Sequence, residues 1–350
     1  MRHPVALLSV ATASPPYELL QSEVAEAARR IFEGQFPRFD RMAKVFDTAG
    51  IRTRQSVMPI EWYFQPRGWT ERAAAYLDGA VELFTASAKS ALAEAELKGG
   101  DIDIIVTVSS TGIATPSLEA RAGMSLGFRP DAARNPVFGL GCAGGATGLA
   151  LAARLAKATP GANVLLVVVE LCTLAFRTDD ISKADIIATA LFGDGAAACV
   201  LRCDTGGIAH VEGMAEHTWP DTLDIMGWRV DPQGLGVIFA RAIPPFAREN
   251  LHPAMVRMLE SQNLGLEDVD RFVCHPGGMK VIDAMEAALS LGQGCLDHER
   301  DVLSDHGNMS APTVLFVLDK ARRAGLPRRS VVTALGPGFT ASTVTLRAAA

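Results

Sequence analysis

Long apolar runs recur along this chain with few polar positions inside them. Val164-Leu165-Leu166-Val167-Val168-Val169 is continuous and largely β-branched, which predicts a strand covered on both faces. Ile102 to Val108, Ala196 to Leu201, Arg271 to Cys274 and Ser330 to Leu335 predict further strands. Val5-Ala6-Leu7-Leu8-Ser9-Val10 predicts a buried first strand closed by Pro15-Pro16. It is too short to cross a membrane and is read as strand, not signal peptide. Helical runs fall between the strands: Ser22 to Phe32, the run ending at Leu97, Leu149 to Lys157, Met255 to Leu264, and Thr313 to Ala324. Strands alternating with helices predict an α/β fold.

The order of elements also repeats. A helical run ending Ala91-Leu92-Ala93-Glu94-Ala95-Glu96-Leu97 passes through Gly99-Gly100-Asp101 into the strand at Ile102. Met255 to Leu264 passes through Glu267-Asp268-Val269-Asp270 into the strand at Arg271. A turn, a helix, a proline and another strand then follow in each copy, with Pro160 in the first and Pro327 in the second. Two halves are expected, residues 1–206 and 207–350, meeting at the small polar and glycine cluster Thr205-Gly206-Gly207. Packed together, they would bring their helix-start turns to a common centre.

At 350 residues the chain has ample core for such a fold, and 49% of it is hydrophobic. A net charge of −6 and the lack of a basic run argue against a nucleic-acid partner. The six cysteines are scattered without a CxxC pair, which points to free thiols in a reduced, cytoplasmic setting. Cys295, His298, Asp301 and His306 lie close in sequence, but their spacing fits no structural zinc pattern and the stretch reads as a polar loop.

The candidate chemistry sits at element ends. Val137-Phe138-Gly139-Leu140-Gly141-Cys142-Ala143-Gly144-Gly145 places Cys142 at the mouth of a helix, where unpaired N–H groups and the helix dipole favour a thiolate. Arg271-Phe272-Val273-Cys274-His275-Pro276-Gly277-Gly278 places His275 at the end of a strand. Ser304-Asp305-His306-Gly307-Asn308-Met309-Ser310-Ala311-Pro312 places Asn308 just before another helix. His275 can pair with the Cys142 thiolate, and His275 and Asn308 can both donate hydrogen bonds to a developing oxyanion. Cys142 and Asn308 occupy matching positions in the two copies.

Five stretches, in this order, resemble the signatures of type III polyketide synthases, the chalcone synthase-like family. They are Gly141-Cys142-Ala143-Gly144-Gly145, Leu191-Phe192-Gly193-Asp194-Gly195, His275-Pro276-Gly277-Gly278, Gly307-Asn308-Met309-Ser310 and Gly336-Pro337-Gly338-Phe339-Thr340. The resemblance covers the chain from about Arg41 to its end. It implies a thiolase-like fold of duplicated α/β layers (αβαβα) around one shared site, and a homodimer. Its substrates would be an acyl-coenzyme A starter and malonyl-coenzyme A. Oxyanion donors suffice for the decarboxylative step, so no metal, biotin or redox cofactor is expected.

The same resemblance assigns further positions. Phe192 matches a phenylalanine near the nucleophile that guides the malonyl carboxylate, while the place of a second such phenylalanine falls on Val237. Ala175 stands where a threonine is common, and Thr115 aligns with a residue that reaches into the partner subunit's site. With Cys172, Ser310, Gly336, Pro337 and Gly338 these positions would line the substrate cavity, and Trp228 is a candidate to fill part of it. Small side chains at Thr115, Ala175 and Val237 suggest a tunnel for a fatty acyl chain. Arg41 and Lys44 align with basic residues that receive coenzyme A phosphates; a third falls on Thr48. Glu61-Trp62-Tyr63-Phe64-Gln65-Pro66-Arg67-Gly68-Trp69 resembles the segment found in bacterial synthases of long-chain alkylresorcinols and alkylpyrones.

Three other readings share these residues. A ketoacyl synthase with the same triad would stop after one condensation, and a cysteine hydrolase would release free acid. A non-catalytic acyl or coenzyme A binding protein would release no carbon dioxide from malonyl-coenzyme A.

Overall fold

The computed structural model describes residues 4–34, 36, 39–178, 182–204 and 206–349. The first half opens with β1 (Val5–Ala13), β2 (Tyr17–Leu20), α1 (Gln21–Phe32), α2 (Phe39–Thr48), β3 (Thr53–Ser56) and α3 (Trp69–Glu94). It continues with β4 (Ile104–Val108), α4 (Leu118–Leu126), β5 (Ala133–Val137), α5 (Gly144–Ala158), β6 (Val164–Leu171), α6 (Lys183–Leu191) and β7 (Asp194–Cys203). The second half opens with β8 (Ala209–Thr218), β9 (Met226–Asp231), β10 (Gly234–Phe239), α7 (Ile243–Glu260) and β11 (Arg271–Cys274). It closes with α8 (Met279–Ala288), α9 (Asp297–His306), α10 (Thr313–Ala324), β12 (Arg329–Gly336) and β13 (Thr340–Ala348). Of the expected boundary, Thr205 lies outside the described residues.

Nine strands form one sheet in the order β11-β12-β13-β8-β1-β7-β6-β4-β5. Reading outward from its centre, β1, β7, β6 and β4 mirror β8, β13, β12 and β11. The β4–β6 and β11–β12 pairs are parallel; the β6–β7 and β12–β13 pairs are antiparallel. The two halves are joined where Val5, Ala6 and Leu7 pair with Val211, His210 and Ala209. Helix α3 covers β1, β6 and β7 on the outside, and α7 covers β8 and β13. Helix α5 touches β4, β6 and β7 on one side and β8, β12 and β13 on the other, so α5 and α10 form the middle of five layers.

Strand β6 is buried throughout, as its continuous apolar run predicts. Strands β8 and β13 lack such a signal. Ser342, Thr343 and Thr345 of β13 are fully buried, and each finds a partner: Ser342 Oγ donates to Glu216 Oε1 at 3.4 Å, Thr343 Oγ1 to Ala215 O at 3.1 Å, and Thr345 Oγ1 to Gln262 Oε1 at 2.6 Å. A polar-looking stretch is therefore core. Residues 297–306 are the helix α9 and not a polar loop. Its Glu299 is buried and accepts the Cys274 N–H at 2.7 Å, and Leu303 is buried beside it.

The helix after Cys142 begins at Gly144, not at Leu149, so Gly144, Gly145 and Gly148 lie inside it. They are there for clearance. A Cβ at Gly145 would stand 2.3 Å from the Ala311 carbonyl oxygen, and one at Gly144 would stand 2.8 Å from Val108. Gly145→Ala should improve helix propensity by up to about 1 kcal/mol. Overpacking against a backbone oxygen costs roughly 1–3 kcal/mol, so a net loss of stability is expected, read as a lower denaturant midpoint. An unchanged or higher midpoint would show that α5 and α10 can separate.

Candidate active site

Cys142 lies in a single tight turn, Gly141–Ala143, that feeds directly into α5. Gly141 has φ +48°, and Pro337 fills the space its Cβ would need, 2.6 Å away. A Cβ on Gly336 would stand 2.5 Å from Ala143 Cβ. The Gly336-Pro337-Gly338 turn after β12 thus lies against the nucleophile turn, which only missing side chains permit.

His275 follows β11, its N–H bonded to Thr333 O at 2.9 Å. The ring is buried, and among the described residues neither nitrogen has a hydrogen-bond partner. Asn308 is buried as well. Its Nδ2 donates to Gly277 O at 3.2 Å, and its Oδ1 accepts the Ser310 N–H at 2.8 Å. Its backbone forms a parallel bridge to Phe192, with Asn308 N donating to Leu191 O at 2.8 Å and Gly193 N to Asn308 O at 3.0 Å. A Gly277 Cβ would stand 3.6 Å from His275 Nε2. The Ser310 hydroxyl acts on the Cys142 thiol and favours its ionised form. Ser310 and Gly277 thus bring the turns of Cys142, Asn308 and His275 together. Ser310, with φ +60°, belongs to this site as well as to the turn before α10.

Burial pushes the Cys142 thiol up to about 11; the Ser310 hydrogen bond opposes this and the Glu170 charge adds to it. Burial alone drops His275 to about 4. Desolvation thus disfavours the charged form of each group taken alone, and among the described residues no carboxylate is bonded to the imidazole to offset it.

Cys172, Ala175, Phe192 and Val237 line one apolar cavity that runs beneath α1. Trp228, paired with Val237 across the β9–β10 hairpin, packs edge-on against Phe192 at 6.2 Å between ring centres. Thr115 does not join them. It is exposed on the loop between β4 and α4 and is not part of this cavity's lining. Arg41 and Lys44 are exposed one turn apart on α2, and Thr48 Oγ1 instead donates back to Lys44 O at 3.0 Å. Beyond α2, Gly50 packs on Met279, next to the Gly277-Gly278 loop.

Two buried charges escaped the sequence reading. Glu170 closes the apolar run of β6 and accepts Ser110 N–H at 2.9 Å and Thr111 O–H at 2.7 Å. Its signal was a lone carboxylate ending a strand that is otherwise wholly apolar. Arg54, which no motif singles out in the sequence, is 1% exposed.

The chain matches the N-terminal domain of chalcone and stilbene synthases over residues 2–205 and their C-terminal domain over residues 211–350. The chain belongs to the chalcone and stilbene synthase family. It is 37% identical to a putative chalcone synthase of Bacillus subtilis (strain 168), with 95% of this chain and 96% of that one covered. It is 38% identical to a 1,3,6,8-tetrahydroxynaphthalene synthase of Streptomyces peucetius subsp. caesius, over 98% and 93% of the two chains. The crystal structure of the 1,3,6,8-tetrahydroxynaphthalene synthase of Streptomyces coelicolor A3(2), a bacterial type III polyketide synthase, superposes with a TM-score of 0.93. Identity there is 28%, with 99% of both chains covered. This type III polyketide synthase is accordingly a thiolase-like acyltransferase that condenses malonyl-coenzyme A. Among the described residues, no helix is long and apolar enough to cross a membrane.

In this synthase burial raises the Glu170 carboxyl from 4.5 to about 7. A carboxyl with a raised folded pKa binds more protons when native, so its contribution to stability is fully present below pH 4.5 and falls as pH rises toward 7. Glu170→Gln should remove about 2 kcal/mol of the stability loss between about pH 5 and pH 8, read from urea midpoints at the two values. An identical pH dependence in the variant would mean that Glu170 ionises as freely as in water.

Proposed function

We propose that this synthase loads a long-chain fatty acyl group on Cys142, extends it repeatedly with malonyl-coenzyme A, and releases an alkylpyrone or alkylresorcinol. The observation that carries the long-chain part is the cavity beneath α1. It is lined by Cys172, Phe192 and Val237, by the small Ala175 and Ala188, and by Val24, Ala28 and Ile31 of α1. Its walls are mainly apolar, as those of ligand sites are.

The steps need only this chain's residues and the two thioesters. Neutral His275 accepts the Cys142 proton as sulfur attacks the starter carbonyl, and coenzyme A leaves as its thiol. Malonyl-coenzyme A then binds with its thioester oxygen toward Asn308 Nδ2 and a His275 N–H. The bond to the carboxylate breaks, carbon dioxide departs, and the electron pair becomes an enolate held by these donors. The enolate carbon attacks the Cys142 thioester, a carbon–carbon bond forms, and sulfur leaves as thiolate. The flat ring of Phe192 beside the carboxylate favours the neutral product. No oxidation state outside the substrates changes. On this reading Arg41 and Lys44 receive coenzyme A phosphates.

Two copies are proposed to meet at β5, the end strand of the sheet, beside the exposed apolar side chains of Ile113, Met124 and Phe138. That arrangement would let Thr115 serve the partner's cavity. A second reading follows from the 38% identity to a tetrahydroxynaphthalene synthase: a product of the tetrahydroxynaphthalene class in place of a long-chain one.

Asn308→Ala should lower decarboxylation of malonyl-coenzyme A by about two to three powers of ten; a loss below about threefold would remove Asn308 as an oxyanion donor. A ladder of acyl-coenzyme A lengths with malonyl-coenzyme A, followed by mass spectrometry, should yield long-chain products. Extension of short or aromatic starters alone, or a product from malonyl-coenzyme A alone, would sink the long-chain reading. Ala28→Phe should shift the longest accepted starter downward without lowering turnover of short ones. An unmoved limit would place the chain elsewhere.

A further inference from the structure

Arg54 has no part in the steps above, yet it is the largest side chain that the fold buries completely. Its guanidinium reaches the end of α6. Nη1 donates to Thr189 O at 2.7 Å and to Phe192 O at 3.0 Å, and Nη2 donates to Ala190 O at 2.9 Å. Carbonyls in the last turn of a helix lack intrahelical partners, and a cation is favoured there by the helix dipole. One carbonyl of this stretch is not taken by Arg54. Leu191 O accepts the Asn308 backbone N–H. The arginine therefore occupies the carbonyls on either side of the one that holds the oxyanion donor.

The packing around it leaves little freedom. A Cβ at Gly193 would stand 3.3 Å from Arg54 Cβ and 2.3 Å from His306 O; one at Gly307 would stand 3.5 Å from Arg54 Cβ. Gly193 follows Phe192 and Gly307 precedes Asn308, so the arginine stem packs against both sides of the bridge between them. Burial lowers the guanidinium to about 9 and the Asp194 charge opposes this, so it stays charged at neutral pH. Asp194 is itself buried, accepting Val57 N–H at 3.0 Å and Thr173 N–H at 2.8 Å.

We propose that Arg54 is a positioning residue for decarboxylation: by fixing residues 189–192 it sets both the Phe192 ring and the Asn308 amide. This rests on the roles proposed above for those two residues. Cys142 hangs from a different turn, after β5, and among the described residues no hydrogen bond joins it to Arg54. Positioning therefore predicts a split between half-reactions, whereas a general loss of packing would damage both.

The test uses the full chain. Arg54→Lys keeps the charge, but a single ammonium cannot hold three carbonyls in the geometry of a guanidinium fork; Arg54→Met, which removes it, is the second variant. Release of carbon dioxide from malonyl-coenzyme A should fall about tenfold or more. Acylation of Cys142 by a starter acyl-coenzyme A, followed as the mass of the intact protein, should change by less than about twofold. In a background carrying both Asn308→Ala and Phe192→Ala, Arg54→Lys should add no further loss of decarboxylation. Parallel loss of both half-reactions in protein that melts normally, or a loss that multiplies with that double background, would overturn the proposal. So would unchanged carbon dioxide release by Arg54→Lys. Wild-type protein that releases no carbon dioxide would instead overturn the functional reading and this one with it.

Discussion

The two halves of this synthase meet closer than side chains allow, and the site exists because of that approach. Gly145 lies under the Ala311 carbonyl, Gly336 against Ala143, and Gly193 under the His306 carbonyl. Each contact joins a residue of one half to a residue of the other. A β-carbon at any of them would push the nucleophile turn, the asparagine turn or the Phe192 bridge off its partner. Close packing at these points is what lets a sulfur, an imidazole and a carboxamide from remote parts of the chain share one pocket.

That closeness has an electrostatic consequence. His275, Asn308 and the charges around them are buried, so each charge must be held by dipoles or is disfavoured. Arg54 keeps its charge by binding three carbonyls at the end of α6. Glu170 and Asp194 are pushed up to about 7 and about 6 by burial, despite their hydrogen bonds. Cys142 and His275 are driven toward their neutral forms. A pocket that disfavours isolated charge suits a cycle in which a carboxylate enters and neutral carbon dioxide leaves. The same dryness makes two N–H donors on an enolate worth more than they would be in water.

Much of this was written in local patterns. A continuous β-branched run can only be a strand covered on both sides, and β6 is one. Glycines clustered around a cysteine, and a histidine or asparagine followed by small residues, mark element ends where functional groups project. Where polar residues are buried in pairs, as in β13, or where a helix carries acidic residues inward, as in α9, the pattern misled. Hydrogen bonds to distant partners cancel the cost of burial, and the chain does not display those partners locally.

The amino-acid sequence by itself determined the α/β class, the internal repeat and the residues able to do thioester chemistry, because these depend on periodicity and side-chain type. Only the tertiary structure decided which turns meet at the site, that Thr115 faces outward, that Arg54 lies inside, and that burial disfavours charge on the thiol and the imidazole. Those outcomes depend on burial and on contacts between residues far apart in the chain. Such contacts are properties of packing, and no window of neighbouring residues encodes them.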